Sequence, residues 1–572
     1  MELSPIKKLT SLDEPADLAQ YAFSDYARDH YQNGSPYTYC RTRLYSSLHD
    51  LGEHEDNEEI ALTIFNVIKR FMMDLPEPKE EAISEEDNVF KRTMQRNAEL
   101  KQAGTFKRKM DSVKHPEWQS LPELSLMSKP TSNITKVRFI CSYGIFRPEL
   151  RDEIYNQICV QLTENPSSTS SSRGWILMAL CLGCFPPSQK FLNFLRNFLK
   201  QGPNSEYGEY CLKRLQRTLE VGNRKLAPNF IEMHAAKVEG KIFLPVTTMD
   251  GKTVKYEVDS STTCEELLQQ IQKKIGLKNV FGFSVFAKVF DEVFNWGCGQ
   301  ESVMDVISLC EQYAQHKNLK IEAIGGKWGI FIRKDLFLSS ANPSSDPVET
   351  DLIYNQVIGG IRFGEYACDT DVELADFLAR KYYINHGKTF NENLASQLIE
   401  QSLPESFLET HRKQMEMIGL IRDTINTTPT LRVGSDPEAI KQEVVSLAKA
   451  EWVHVFSKIF NATIISGRKI PKGEVKVYMH SKGIDLHSVS EQRGSFFVSL
   501  DFDHLAVITN DSPKNLKHAD PSSIVSFQKY DKSIYILKSV RAVEMKKLGN
   551  ILLEDYRKGD PLLSQTGNKI LY

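Results

Sequence analysis

The chain has 572 residues, 41% of them hydrophobic and 25% charged, enough for roughly three to five folded units at ~150 residues each. That mix excludes a disordered chain, a collagen-like rod and a membrane bundle. The longest apolar stretch, Gly174 to Phe185, is 12 residues, where a bilayer span needs ~20. A net charge of −3 excludes a generic polyanion binder, so any basic surface must be local.

Met1 is followed by Glu2 and an early polar run, which shows no signal peptide. The ten cysteines lack a framework spacing and fit a reducing cytosol. Asn57 is placed to cap a helix carrying Ile60, Ile64, Ile68, Phe71 and Leu75, which Pro76 and Pro78 stop. Residues 79–125 run acidic, then basic, with few large apolar side chains, and read as a solvated insertion. Helical periodicity returns at Ile134. Pro148 suits the first turn of a helix bearing Leu150, Ile154, Ile158 and Leu162. Ser167 to Ser172 reads as a linker, followed by an apolar helix (Trp175 to Cys184) and amphipathic ones from Ser188 and around Leu215.

The period shifts near residue 230. Lys241–Thr248 and Thr253–Val258 read as strands joined by a tight turn at Asp250-Gly251. Thr263 and Glu266 form a capping box, and Gly276 ends that helix. Further strands at 281–286 and 328–333 suggest a small ubiquitin-type roll. Residues 345–460 read as helical, with starts at Asp369 or Thr370 and at Asp436-Pro437. From Val475 the period is two, in short runs, and a helix from Val540 closes the pattern. A small β-sandwich capped by that helix is expected.

Three features look catalytic and are discounted. Gly251-Lys252-Thr253 lacks the earlier glycine of a phosphate loop, since Val246 stands there. Cys181 and Cys184 sit in an apolar helix without a second pair at zinc spacing. His49 and His54 lack H-E-x-x-H spacing. No G-x-S-x-G elbow occurs. Neither a catalytic residue nor a cofactor or metal site is expected.

The order of units is carried by Pro130-Thr131-Ser132-Asn133, by Arg147 to Ile158, by Arg173-Gly174-Trp175 and by Gly183 to Ser188. Further on it is carried by Leu244 to Thr247, Phe281 to Ser284, Leu352 to Gln356 and Phe363 to Tyr366. These stretches resemble a myosin tail homology 4 domain followed by a FERM domain, most nearly the first such tandem in the tails of class VII unconventional myosins. The resemblance implies a multidomain α and α+β chain. Its parts are an N-terminal extension (1–20), a helical tail homology domain (21–228), a ubiquitin-like lobe (229–340), a helical lobe (341–464), a PH/PTB-like capped sandwich (465–560) and a tail (561–572).

The resemblance further implies a non-enzymatic cargo-binding module, cytoplasmic and cytoskeleton-associated, in actin-rich protrusions. Its partners would be adaptor or cargo proteins, with microtubules or an acidic membrane surface as further partners. Actin would be reached only through a motor domain outside this sequence; nucleic acid and small-molecule substrates are not expected. The rival readings are a motor-free cytoskeletal adaptor, an ezrin-like membrane linker and a FERM-containing phosphatase, the last of which lacks a free stretch for its catalytic domain.

Residues 186–225 carry eight basic and three acidic side chains, a local net of +5. An acidic-partner or microtubule face is therefore expected at Lys190, Arg196, Lys200, Lys213, Arg214 and Arg217. Arg147, Arg151, Asp152 and Glu153 are either an interface or structural ion pairs. In the last lobe, a strand at 533–539 beside the helix from Val540 is expected to offer a peptide groove at Tyr535, Ile536, Leu537, Glu544 and Lys547. Val540, Val543, Leu548 and Ile551 should hold that helix to the sheet.

Overall fold

The computed structural model describes residues 17–52, 56–78, 121–201, 205–289, 292–316, 328–404, 407, 411–468, 470–489, 497–510 and 521–559. The expectations for His54, for most of the charged insertion and for both chain ends lie outside these residues.

The first unit is a bundle of eight helices among the described residues: α1 (Phe23–His30), α2 (Asn57–Met72), α3 (Asn133–Phe146), α4 (Arg151–Leu162), α5 (Ser168–Leu182), α6 (Gln189–Gln201), α7 (Ser205–Val221) and α8 (Phe230–Val238). Helix α5 is apolar all round from Trp175 to Leu182, so it takes the centre and touches α2, α3, α4, α7 and α8. The serine run before it is not a linker. Ser167 accepts from the Ser170 N–H at 3.2 Å, and the run forms the first turns of α5. Helix α2 stops at Met73, φ 71, ahead of the two prolines. Asn57 lies inside that helix, where its side chain accepts from Arg147.

The second unit is a five-stranded sheet, β1 (Ile242–Thr247), β2 (Thr253–Val258), β3 (Phe283–Val289), β4 (Glu292–Gly297) and β5 (Trp328–Lys334), with α9 (Cys264–Ile275) and α10 (Val303–His316). Strand order is β2-β1-β5-β3-β4, and β1 runs parallel to β5, as in a ubiquitin-type roll. Thr247 pairs with Thr253 across the expected turn, where Gly251 has φ 82. The Thr263–Glu266 capping box is formed in both directions. Strand β4 and helix α10 are additions to the sequence reading. Helix α8 serves both units: Met233 and Ala236 belong to the bundle core and Ala235 to that of the roll. The join expected at 228 therefore runs on into a shared helix.

The third unit packs α11 (Pro347–Arg362), α12 (Asp371–His386), α13 (Glu392–Ser402), α14 (His411–Thr427), α15 (Pro429–Val433) and α16 (Pro437–Glu451) around Val357, Leu378, Tyr382 and Val444. Thr370 and Asp436 cap α12 and α16. The fourth is a seven-stranded sheet closed by α17 (Ala542–Gly559). Its strands are β6 (Lys458–Ser466), β7 (Gly473–His480), β8 (Gly483–Ser488), β9 (Phe497–Asp501), β10 (Leu505–Thr509), β11 (Ile524–Lys529) and β12 (Ile534–Lys538). Their order is β10-β11-β12-β6-β7-β8-β9. The expected boundary at 464 falls inside β6. Helix α16 ends at Glu451, and Phe456 lies in the following turn.

Candidate partner-binding site

Only part of the basic face expected on α6 and α7 is open. Phe191, Leu192, Leu195 and Leu199 are buried, and Lys190 and Lys200 are exposed, as the helical period requires. Arg196 and Asn197 are buried as well. Arg196 donates to Asn193 and Asn197 to the Tyr21 carbonyl. The cause is α1 and the residues before it, whose rings Tyr21, Phe23 and Tyr26 pack on Phe194, Phe198 and Phe191 and cover that flank. No local pattern on α6 reports this long-range cover.

Arg214 is also buried, between Tyr210 and Ser260 Oγ. Arg217 reaches across to the roll, pairing with Asp259 at 2.9 Å and Glu266 at 2.7 Å. Burial would lower the Arg217 pKa, but hydrogen bonds and charge from those carboxylates hold it above its ordinary value. Lys190, Lys200 and Lys213 therefore remain as exposed cations of the expected six. Lys200 and Lys213 line a groove of about 470 Å³ whose walls include Leu212 and Leu215.

The four residues at the α3–α4 corner act inside the bundle. Arg151 donates to the Gly144 and Ile145 carbonyls, satisfying the end of α3. Asp152 accepts from the Ser188 N–H at 2.7 Å and from its hydroxyl, ahead of α6. Glu153 is buried and accepts from the N–H groups of Leu48 and His49 and from His49 Nδ1. Arg147 donates to Asn57. The contacts are mostly side chain to backbone, with a His49–Glu153 hydrogen bond, where an interface or structural ion pairs were expected.

The groove expected at β12 is not there. Strand β12 lies between β11 and β6, and Tyr535, Ile536 and Leu537 are buried. The edge strands are β9 and β10, but α17 lies against β10 and β11, and its Arg557 and Asn550 donate to the Leu505, Ala506 and Ile508 carbonyls of β10. Helix α17 presents Ala542, Met545, Gly549, Leu552 and Leu553 to the sheet. Val540, Val543 and Ile551 point outward, at 92%, 56% and 37% exposure. Glu544 pairs with Arg541 on the exposed side, and Lys547 is exposed beside it.

Sequence reasoning missed the joints between units. Arg224, nearly fully buried, pairs with Glu232 at 2.6 Å and with Asp305 of α10 at 2.7 Å. Asp305 also accepts from the N–H groups of Lys225 and Leu226. Burial opposes the Arg224 charge, and Asp305 and Glu232 restore it, holding its pKa above the ordinary value. Arg138 of α3 meets Glu311 of α10 at 2.5 Å. Lys458 of β6 meets Asp335, just after β5, at 2.6 Å.

Gln356 both accepts from the Lys334 N–H and donates to its carbonyl, and it reaches the Tyr366 hydroxyl; Arg333 pairs with Glu365 at 2.8 Å. Two of the quoted sequence stretches, 352–356 and 363–366, thus serve the joint between roll and helical lobe. Their polar residues amid apolar neighbours were the available signal.

The discounted features have structural partners. Lys252 pairs with Asp250 of its own turn, and Val246 is buried in β1. Cys181 and Cys184 are buried, Cys181 lies 3.9 Å from Cys141, and burial pushes the Cys184 thiol well up. No helix among the described residues is long and apolar enough to cross a membrane.

Residues 137–235 match the MyTH4 domain and residues 240–336 the RA like domain. Over 523 residues the chain is 34% identical to Myosin-VIIa of Drosophila melanogaster, covering 84% of this chain and 24% of that protein. The structure of the Dictyostelium discoideum myosin VII MyTH4-FERM MF1 domain matches with a TM-score of 0.62 at 17% identity, over 96% of this chain and 98% of that one. The human myosin 7b C-terminal MyTH4-FERM domain, solved in complex with the harmonin-a PDZ3 domain, gives 0.55 at 19%, over 93% and 96%. The chain carries a MyTH4 domain and has the fold of the MyTH4–FERM structures, its bundle and three lobes in the order given above. It spans about a quarter of the curated myosin it matches, and it is homologous to the tails of class VII myosins.

Proposed function

We propose that this chain is a non-enzymatic tail module that binds adaptor or cargo proteins and couples them to an actin-based motor. The observation that carries the reading is the long alignment with a class VII myosin tail, which takes in both bundle and lobes. The human relative's complex with a PDZ domain supports an adaptor domain as partner. The ion-paired joints supply a preformed platform, which lowers the ordering cost of binding. Peptide addition by strand pairing belongs at the edge of β9 rather than at β12, since α17 side chains occupy the β10 carbonyls. The test is calorimetric titration of the full chain with a harmonin-type PDZ domain and with each protein recovered by pull-down. Saturable one-to-one binding supports the reading, and its absence for all of them overturns it.

A second reading, an acidic partner such as a microtubule or an anionic membrane, is favoured by the groove at Lys200 and Lys213. Reversing charge at Lys190, Lys200 and Lys213 should cost about 1 kcal/mol or less in stability. It should also remove salt-sensitive cosedimentation. Unchanged cosedimentation would refute this second reading.

A further inference from the structure

The turn between α16 and β6 carries His454 over the β7–β8 hairpin, beside His480 at the end of β7 and Asp485 on β8. His454 Nε2 lies 2.6 Å, and His480 Nε2 3.1 Å, from the same oxygen, Asp485 Oδ2. All three candidate ligand atoms lie within 4.8 Å of one another. His480 and Asp485 are 3% and 4% exposed, while the His454 side chain is half exposed. Two imidazole N–H groups on one carboxylate oxygen is a crowded arrangement that a single divalent ion replaces.

We propose that His454, His480 and Asp485 form a zinc site that clasps the helical lobe's exit turn to the sandwich. Two imidazoles and a carboxylate are a zinc ligand set, with nitrogen at ~2.0–2.1 Å and oxygen at ~2.0–2.2 Å. Tetrahedral ligands at those distances stand ~3.4 Å apart, so both imidazole nitrogens must draw back from Asp485 Oδ2, where they now lie at 2.6 and 3.1 Å. The half-exposed face of His454 gives the ion its entry and water the fourth position. His487 is the neighbouring reserve: its ring centroid lies 5.4 Å from that of His454, and its Nε2 is buried without a hydrogen-bond partner.

One contact works against tight binding. His480 Nδ1 accepts from the Lys482 N–H at 3.2 Å. Zinc at Nε2 moves the ring proton to Nδ1 and ends that contact. Affinity should therefore be micromolar, below that of a dedicated structural site.

The experiment titrates zinc into the full chain by calorimetry and follows cobalt binding by absorption. The wild-type chain should take one ion per chain at this site and melt at a higher temperature with zinc. Cobalt should give visible d–d bands without the thiolate charge transfer that exposed Cys298 would produce. His454→Ala, at a half-exposed turn position, keeps the fold and should weaken binding at least about tenfold and abolish the melting shift. His480→Gln should do the same. If His454→Ala binds zinc as the wild type does, or if the cobalt spectrum is that of a thiolate site alone, the proposal is overturned.

Discussion

Arg224 shows how much one side chain can hold. Its two carboxylate partners are as buried as it is, 1% and 2% exposed at the side chain. Arg224→Met leaves Glu232 and Asp305 without their cation in a dry joint, and should cost about 3–5 kcal/mol in urea unfolding. Arg217, whose partners are partly solvated, is the contrast: Arg217→Gln should cost about 1 kcal/mol or less. Equal costs would show that burial does not set the difference. Glu311 adds a pH test. Burial raises its carboxyl pKa, with Arg138 opposing. A carboxyl raised in the folded state contributes stability below its ordinary pKa that is lost as pH rises through the folded value. Arg138→Met removes the opposing charge and pushes Glu311 further up. The variant's deficit relative to wild type should therefore be larger at pH 8 than at pH 5, as read by urea denaturation. A deficit independent of pH would mean that Arg138 acts by packing alone.

At the scale of elements, the sequence was readable wherever the signal was local. Thr263 with Glu266, Thr370, and Asp436 before Pro437 mark helix starts through bonds spanning four residues or fewer, and each is made as expected. Strand order is different, because pairing partners lie far apart in sequence. Nothing within Ile534–Lys538 reports that β6, some seventy residues earlier, lies on its other side. The α17 face was misjudged in part: Leu548 packs against the sandwich core as expected, but Val540, Val543 and Ile551, which outweigh Ala542 and Gly549 in hydrophobicity, face outward. Gly549 held the missed signal: a Cβ there would lie 2.6 Å from the Ile508 side chain and 2.9 Å from that of Met479. Small residues mark the closest approach of helix to sheet. The consequence for β12 is direct. Ile536→Pro in an interior strand should cost more than about 3 kcal/mol and melt the lobe, whereas Phe497→Pro, at the start of edge strand β9, should cost about 1 kcal/mol. Thermal melts and limited proteolysis would separate them, and a folded Ile536→Pro chain would contradict the strand order.

At the scale of the whole molecule, the parts are bolted at each boundary by buried or half-buried charge. Arg138, Arg217 and Arg224 tie the bundle to the roll, and Lys458 ties the roll to the sandwich. Asp555 of α17 accepts from Ser339 and Ser340 on the segment between roll and helical lobe. The Val221–Pro228 connection is short and carries no long Gly/Ser tract, but most partners of these charges lie dozens of residues away, out of reach of any local pattern. Such joints should suppress the reorientation that separate domains show by default. Small-angle scattering of the full chain should then fit one compact particle, with a radius of gyration of roughly 25–30 Å for its length. Combining Arg138→Met, Arg217→Gln and Arg224→Met removes the three ion-paired arginines between bundle and roll while leaving both cores and the Arg214–Ser260 contact intact. That variant should show a longer maximum dimension and a spread of orientations, with the FERM lobes still held together through Lys458 and Gln356. A wild-type profile that requires freely reorienting halves would refute the rigid platform. A triple variant as compact as wild type would assign the rigidity to the apolar contacts of α8 and the Arg214–Ser260 contact instead of the ion pairs.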